Sequence, residues 1–441
     1  MKKKMKVGIA VLLCLAFLLG SAVTQLVIGL YPANVTTVWV NNPPLHEATY
    51  IIGVYNSTHY YAKNGTTGEI EFCGTDASQI IQQAGKNGGE LIFKSGTYTV
   101  TTTIAFTGKG TNFGLTIKGE NPRTTIIKWN GADTGFMFDF NDTAGTLVMR
   151  NIWLDGNGKD ITLIRFGTKQ FTHCIFENVW FWDAKYGLDG GTNSPGNGLE
   201  ESEFRECKFA YNYKGILITE QGLRFYSCIF AYNNYSIALY SSSQASFYGC
   251  TFTSEYWRPI QIVSNGDYPN SFLFSGCWFE NSQKGIIEAP PSVISLGGLH
   301  FENCRFHTYS TDYLMTFANL NTTILFTNCY VPSATSSSLI YTFSYNRIIF
   351  ISSSTLMANI TGNGLIITDY RNYGQAVITS GDTSVTVSHN LGYTPTIVVV
   401  TPSEDIGDVW VGSITSTSFT IHCDTAPSSN VTVYWYAEYK P

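Results

Sequence analysis

The sequence predicts an all-β fold, a solenoid of short stacked strands, and three observations predict it. The first is a recurring tripeptide: Cys174-Ile175-Phe176, Cys207-Lys208-Phe209, Cys228-Ile229-Phe230, Cys250-Thr251-Phe252, Cys277-Trp278-Phe279, Cys304-Arg305-Phe306 and Cys329-Tyr330-Val331. Earlier copies carry Ile in the first position (Ile127-Lys128-Trp129, Ile152-Trp153-Leu154), and a later one carries Ser (Ser354-Thr355-Leu356). Successive first positions lie 25, 22, 33, 21, 22, 27, 27, 25 and 25 residues apart. At such a period one supersecondary unit stacks on the next. The second observation is that apolar residues sit two apart, the spacing of a strand with one buried face. The third is a residue tolerant of a left-handed backbone just before the tripeptide in most copies.

Each coil reads as three strands. After the tripeptide comes a second two-apart pair, as in Gly215-Ile216-Leu217-Ile218, Ser236-Ile237-Ala238-Leu239, Pro259-Ile260-Gln261-Ile262 and Gly285-Ile286-Ile287. A third apolar strand ends just before the next tripeptide, at Phe171, Phe204, Phe225, Phe247, Phe274, Phe301 and Phe326. The residue preceding the tripeptide is Asn151, His173, Gly249, Gly276, Asn303 or Asn328, types that accept positive φ. Glu206 and Ser227 do not fit that pattern. No helical period intervenes, so coils stack through parallel ladders about 4.8 Å apart.

The pattern Phe301-Glu302-Asn303-Cys304-Arg305-Phe306, with a later Gly-Ile pair, resembles the right-handed parallel β-helix of the pectate-lyase-like superfamily. The resemblance spans roughly residues 70–370. It implies a fold rather than an activity, because that fold carries lyases, glycosidases, epimerases, phage tailspikes and inert spikes.

The N-terminus, 1–31, opens with Lys2, Lys3, Lys4 and Lys6 and continues as an uncharged apolar run from Val7 to Tyr31. As a helix this run is about 37 Å long, more than the hydrocarbon core of a bilayer. It reads as a retained hydrophobic membrane helix, or as a signal peptide cleaved near Ser21-Ala22-Val23. Either reading exports the remainder to the cell surface or medium. Sequons at Asn34, Asn56, Asn64, Asn141, Asn234, Asn321, Asn359 and Asn430 are the candidate glycosylation sites of an exported chain. Residues 32–48 form a spacer, 49–110 hairpins and a cap, 111–372 the solenoid, and 373–441 a small C-terminal β-sandwich of six strands. Within the cap, Asp76 and Ser78 start a short helix with Ile80, Ile81 and Ala84 on one face, placed to cover the open end of the first coil.

Charge argues against nucleic acid. The formal net charge is −6 and no basic run follows the hydrophobic segment. Ten cysteines in an exported chain suggest disulfides. Seven of them instead share one inward position of the repeat, so they are expected as a stack of free, buried thiols.

Cleaving a polysaccharide takes an acid and a base on one exposed face, or a basic residue with Ca²⁺ for a lyase. The resemblance places such chemistry on the outer face of the Gly-Ile strands. If Phe138, Ile164 and Leu188 point inward in register, Asp139, Arg165 and Asp189 point outward on successive coils. Carboxylates two rungs apart are then about 9–10 Å from each other, near the gap of inverting glycosidases. Asp183 and Glu201, from the long step between Cys174 and Cys207, are weaker candidates, with Trp180 and Trp182 as surfaces for stacking sugar rings. The competing reading of this ladder is a solvated stripe of alternating charge. Polygalacturonase motifs do not carry over: Lys185-Tyr186-Gly187-Leu188-Asp189 keeps one Asp of that family's set, and Arg258-Pro259-Ile260 lacks its basic pair. No metal-ligand spacing is present, so Ca²⁺ enters only if the chain is a lyase. The expected partners are an extracellular glycan, a membrane through the N-terminal helix, and further copies of the chain in a spike-like homotrimer. A non-catalytic spike or adhesin, with a glycan-binding sandwich, is the alternative.

Overall fold

The computed structural model describes residues 48–441 apart from 57, 111, 192–196, 220, 241–243, 264–270, 290–297, 308–314, 318–322, 331–339, 343–346, 352–359, 363–364, 369–370, 390, 392 and 440–441. The hydrophobic segment at 1–31, the spacer up to residue 47, Asn34, Asn321, Asn359 and the Ser354 copy lie outside the described residues. Among those described, no helix is long and apolar enough to cross a membrane.

The chain first forms an antiparallel meander, Tyr50–Asn56, His59–Asn64 and Ile70–Gly74. The helix Ala77–Gly85 follows. Asp76 caps it by accepting from the Ser78 N–H at 2.9 Å, and Ile80, Ile81 and Ala84 are buried. That face joins the hydrophobic core that runs on through Leu91 and Phe106. From Gly89 onward the strands pair in parallel, coil on coil, in three sheets. In one, here called the cysteine sheet, Tyr98, Ile127, Leu154, Phe181, Phe209, Phe230, Phe252, Phe279 and Phe306 lie in register. In the Gly-Ile sheet, Phe138, Ile164, Leu188, Ile216, Ile237, Ile260 and Ile287 align. In the third, Met149, Phe176, Phe204, Phe225, Phe247, Phe274, Phe301 and Phe326 align.

Two phenylalanine stacks fill the interior. Rings from Phe181 to Phe306 follow one another at 4.4–5.2 Å, nearly parallel. Rings from Phe176 to Phe326 do so at 4.5–5.2 Å. The parallel ladder sets the coil separation, and that separation is also the contact distance of stacked rings.

The thiols are free and buried, as the repeat predicted, but the stack holds six of them: Cys207, Cys228, Cys250, Cys277, Cys304 and Cys329. Each donates weakly to a phenylalanine carbonyl of the third sheet, as Cys207 does to Phe176 at 3.3 Å and Cys304 to Phe274 at 3.2 Å. Cys174 does not belong to this row. Ile175 and Phe176 pair with Glu203 and Phe204, so Cys174 opens a third-sheet strand. The residue opposite Cys207 is Val179. Val179 lies 27 residues after Ile152 and 28 before Cys207, so the 33-residue step disappears. A strand buried on one face has the same two-apart pattern in all three sheets, so the pattern alone does not say which sheet a copy occupies. Ile127 is likewise offset by two residues, pairing with Leu154 rather than Ile152.

The corners are left-handed as expected. Asn151, His173, Gly249, Gly276, Asn303 and Asn328 have φ between 51° and 64°, as has Asn178, the corner before Val179. Glu206 and Ser227 adopt the same conformation, with φ of 53° and 52°. The ladder therefore imposes this backbone on residues that disfavour it, at a cost of about 1 kcal/mol each. Glu206→Asn, which installs the corner's commonest residue at an exposed site, is expected to raise stability by about 0.5–1 kcal/mol. A thermal melt checks this, and an unchanged or lower midpoint contradicts it.

Two antiparallel three-stranded sheets follow the solenoid. Arg371–Ile378, Val431–Glu438 and Ile397–Pro402 form one; Ser384–Ser388, Ser418–Cys423 and Val409–Gly412 form the other. They share a core of their own that includes Phe419, Ile421, Val433 and Trp435.

Candidate functional site

The Gly-Ile sheet builds the expected acid–base–acid row. Asp139, Arg165 and Asp189 are partners on successive coils, followed by Leu217, Ala238, Gln261 and Glu288. Arg165 grips Asp139 with both branches of its fork, Nε to Oδ1 at 3.0 Å and Nη2 to Oδ2 at 2.7 Å. Its guanidinium also lies 3.7 Å from the Phe136 ring centre. Asp139 is buried and accepts a further hydrogen bond from the Asn141 N–H. Its oxygens are therefore engaged within the protein. Asp189 differs: burial raises its pKa, and the Gly191 N–H at 3.1 Å and the Arg165 charge only partly oppose that. Four rungs further, Glu288 Oε2 accepts from Tyr235 Oη and Trp257 Nε1, each at 3.1 Å.

Asp183 and Glu201 do not join this row. Asp183 is a corner residue with φ of 55°; burial, then the neighbouring Asp155, raises its pKa. It lines a hollow of about 240 Å³ with Lys159, Lys185 and Tyr211. Glu201 sits at a different corner, paired with His173 at 3.3 Å, both exposed.

Trp180 and Trp182 lie on the outer face of the cysteine sheet, a different face from Asp139 and Asp189. Outward positions of successive coils are Trp153, Trp180, Lys208, Ile229, Thr251, Trp278, Arg305 and Tyr330. Trp153 contacts Trp180 at 5.5 Å and Trp182 at 5.4 Å. Trp182 continues to Tyr211 at 4.9 Å, and Tyr211 to Tyr232 at 4.9 Å in a near-parallel stack. Tyr211 and Tyr232 are each 40% exposed. They occupy the corner that follows the tripeptide, both at positive φ. An aromatic row thus runs along the solenoid axis. The sequence carried a signal for its upper half, the repeated Phe-Ala-Tyr-Asn at 209–212 and 230–233. Three cations ride on this face: Arg123 over Trp180, Lys208 over Trp180 and Trp182, and Arg305 over Trp278 and Tyr330.

Of the sequons described, Asn56 and Asn430 are exposed, while Asn64, Asn141 and Asn234 are half-buried. In the sandwich, Trp410 and Tyr434 are half exposed and Trp435 is core. Among the described residues no cluster of His, Cys, Asp or Glu is arranged to hold a metal ion.

This architecture is that of a right-handed parallel β-helix protein. Residues 140–308 match the family described as "Right handed beta helix region". No curated protein sequence matches the chain. Among solved structures it is similar to ORF18 of Geobacillus virus E2, at 14% identity over 86% of this chain and 83% of that one, with a TM-score of 0.51. It is also similar to the tailspike protein of Acinetobacter phage vB_ApiP_P1, at 13% identity over 82% and 84% of the two chains, TM-score 0.43. A third similar structure is the alginate lyase from Paenibacillus sp. str. FPU-7, at 10% identity over 66% and 96%, TM-score 0.41. At these identities the likeness is one of fold.

Proposed function

We propose that the chain is an exported, cell-surface protein that binds extracellular polysaccharide along the outside of its solenoid. The observation that carries this reading is the row Trp153, Trp180, Trp182, Tyr211 and Tyr232, aromatic rings set on successive coils and partly open to solvent. The face of a pyranose ring presents C–H groups that pack on an aromatic plane, while its hydroxyls stay hydrated. The coil separation of about 4.8 Å is comparable with the advance of one sugar in an extended chain. The similar proteins titled tailspike and alginate lyase fit this reading but do not carry it.

Any cleavage is assigned to Asp189 on the neighbouring Gly-Ile sheet, and so requires the glycan to continue from the tryptophan face round the Asp183 corner. The raised pKa of Asp189 suits an acid that gives its proton to the leaving glycosidic oxygen, while a solvent water adds at the anomeric carbon and releases its own proton to bulk water. Asp139 orients Arg165 rather than acting as a second free carboxylate. That same pairing is the observation favouring the second reading, a non-catalytic spike or adhesin. The N-terminal anchor, the sequons, a homotrimer and a Ca²⁺ requirement for any lyase step belong to the proposal as well.

A glycan array on the full chain, followed by reducing-end and unsaturated-uronate assays on each hit, tests both. Trp180→Ala and Trp182→Ala should each weaken binding by about tenfold or more, the value of a buried aromatic contact. Asp189→Asn should leave binding intact and abolish product. Binding without product in the unaltered chain selects the spike. Absence of glycan binding, or Trp variants that bind normally, overturns the proposal.

A further inference from the structure

Most ion pairs on this solenoid follow a rule, Arg205 with Glu203 of its own strand being an exception. Lys128 meets Asp155, Arg150 meets Glu177, and Arg165 meets Asp139, each cation against an acid one coil away. The parallel ladder stacks equivalent positions, so opposite charges one period apart neutralise each other. Arg123, Lys208 and Arg305 depart from the rule. None has an ion-pair partner among the described residues, and each lies over indole instead. The carboxylate in register with Trp182, Asp155, already serves Lys128.

Arg123 and Lys208 converge on Trp180, at 5.4 and 5.5 Å from its ring centre. Two like charges share one aromatic surface there, and Lys208 is half-buried. Burial and the Arg123 charge both lower the Lys208 pKa. An arrangement that penalises its own cations is relieved when an anion enters. The tryptophans favour cations on their faces but supply no counter-charge. Arg305 forms a second such station between Trp278 and Tyr330. The stations are four rungs apart, about 19 Å. Ile229 and Thr251 occupy the sheet between them.

We infer that the cysteine-sheet face selects an anionic polysaccharide, whose carboxylate or sulfate groups sit at Arg123–Lys208 and at Arg305 while its rings pack on the neighbouring aromatics. This rests on the glycan-binding reading and adds the charge class and the sheet that reads it, which is not the sheet bearing Asp189. A single sugar reaches one station only, so affinity rises with chain length until both are spanned.

The test compares polygalacturonate with its methyl-esterified form, and dextran sulfate with dextran, by titration against the full chain. The anionic member of at least one pair should bind about tenfold or more tightly, since each engaged group adds a charge-assisted hydrogen bond that its neutral counterpart lacks. That preference should shrink as salt is added. Lys208→Gln should reduce it, Lys208→Arg should restore it, and Arg305→Gln should remove the chain-length dependence. Unaltered melting curves establish that these variants fold. If charged and neutral members bind alike while Trp182→Ala still weakens binding, the charge inference falls and the glycan reading stands. If neither member binds and the array is also blank, the glycan reading itself falls.

Discussion

Phe252→Ala is expected to destabilise the solenoid by about 3–5 kcal/mol, the largest single-residue loss foreseen in the core. Phe252 is fully buried. Its ring is stacked 4.8 Å from Phe230 below and 4.7 Å from Phe279 above, with Phe247 and Phe274 edge-on at 6.0 and 6.1 Å. Removing it opens a cavity that the neighbours cannot close. Each is fixed at its height by backbone ladders on both sides, so no ring can slide into the gap without breaking register. In a stacked array each coil is stabilised by its two neighbours. The loss therefore also weakens the coupling between the coils on either side. A denaturant titration should show a lower midpoint and a broader transition. Phe252→Leu, which refills most of the volume, should recover more than half of the loss. Equal effects of Ala and Leu would mean that the stack is not what holds these coils together.

The sequence made the solenoid legible because burial and turn chemistry recur at one period. What it left ambiguous was phase. Cys174-Ile175-Phe176 has the spelling of a cysteine-sheet strand, yet it pairs in the third sheet. Cys207 and Ser202 show why: both positions are buried ends of one-faced strands, so both accept a small residue. Only counting residues round the coil, with Asn178 as its left-handed corner, separates them. Glu206 and Ser227 illustrate the converse. Their backbone is dictated by the coils above and below, and no local preference announces it.

The site divides the same way. The register of Asp139, Arg165 and Asp189 followed from counting along the Gly-Ile strands, and Trp180 and Trp182 were visible as outward aromatics. Their separation onto two sheets was not visible, because that depends on the phase of the long coil. Lys208 and Arg305 occupy the variable middle position of the tripeptide, where identity is free and only neighbours give meaning. Arg123 reaches Trp180 from beyond its own strand, a contact that no one-dimensional pattern records.

Glu255→Gln should stabilise the fold at neutral pH and leave it unchanged near pH 4. Glu255 occupies the interior corner position held by Asn212, Asn233 and Ser282 on other coils, and it is fully buried. Ser236 Oγ donates to its Oε1 at 2.8 Å and Ser282 Oγ to its Oε2 at 3.2 Å. These bonds favour the carboxylate but are outweighed by burial, which pushes its pKa from the ordinary 4.5 up to about 8. The sign follows from proton counting. Below pH 4.5 the group is protonated both folded and unfolded, so its contribution is complete. As pH rises, the unfolded chain ionises first and gains stability. The folded state therefore loses relative stability until pH passes 8, above which both forms are charged and the difference is constant. At pH 7 the accumulated cost is about 3 kcal/mol, at about 1.4 kcal/mol per pH unit. Gln keeps the size and the acceptor oxygen but cannot ionise, so the melting-temperature gap between variant and parent should open from pH 4 to pH 8. A gap that stays level across this range would show that Glu255 is already ionised in the folded chain. The neighbouring asparagines, which bond the Phe181 and Phe209 carbonyls at 3.0 and 2.9 Å, show that this corner needs polar groups without charge.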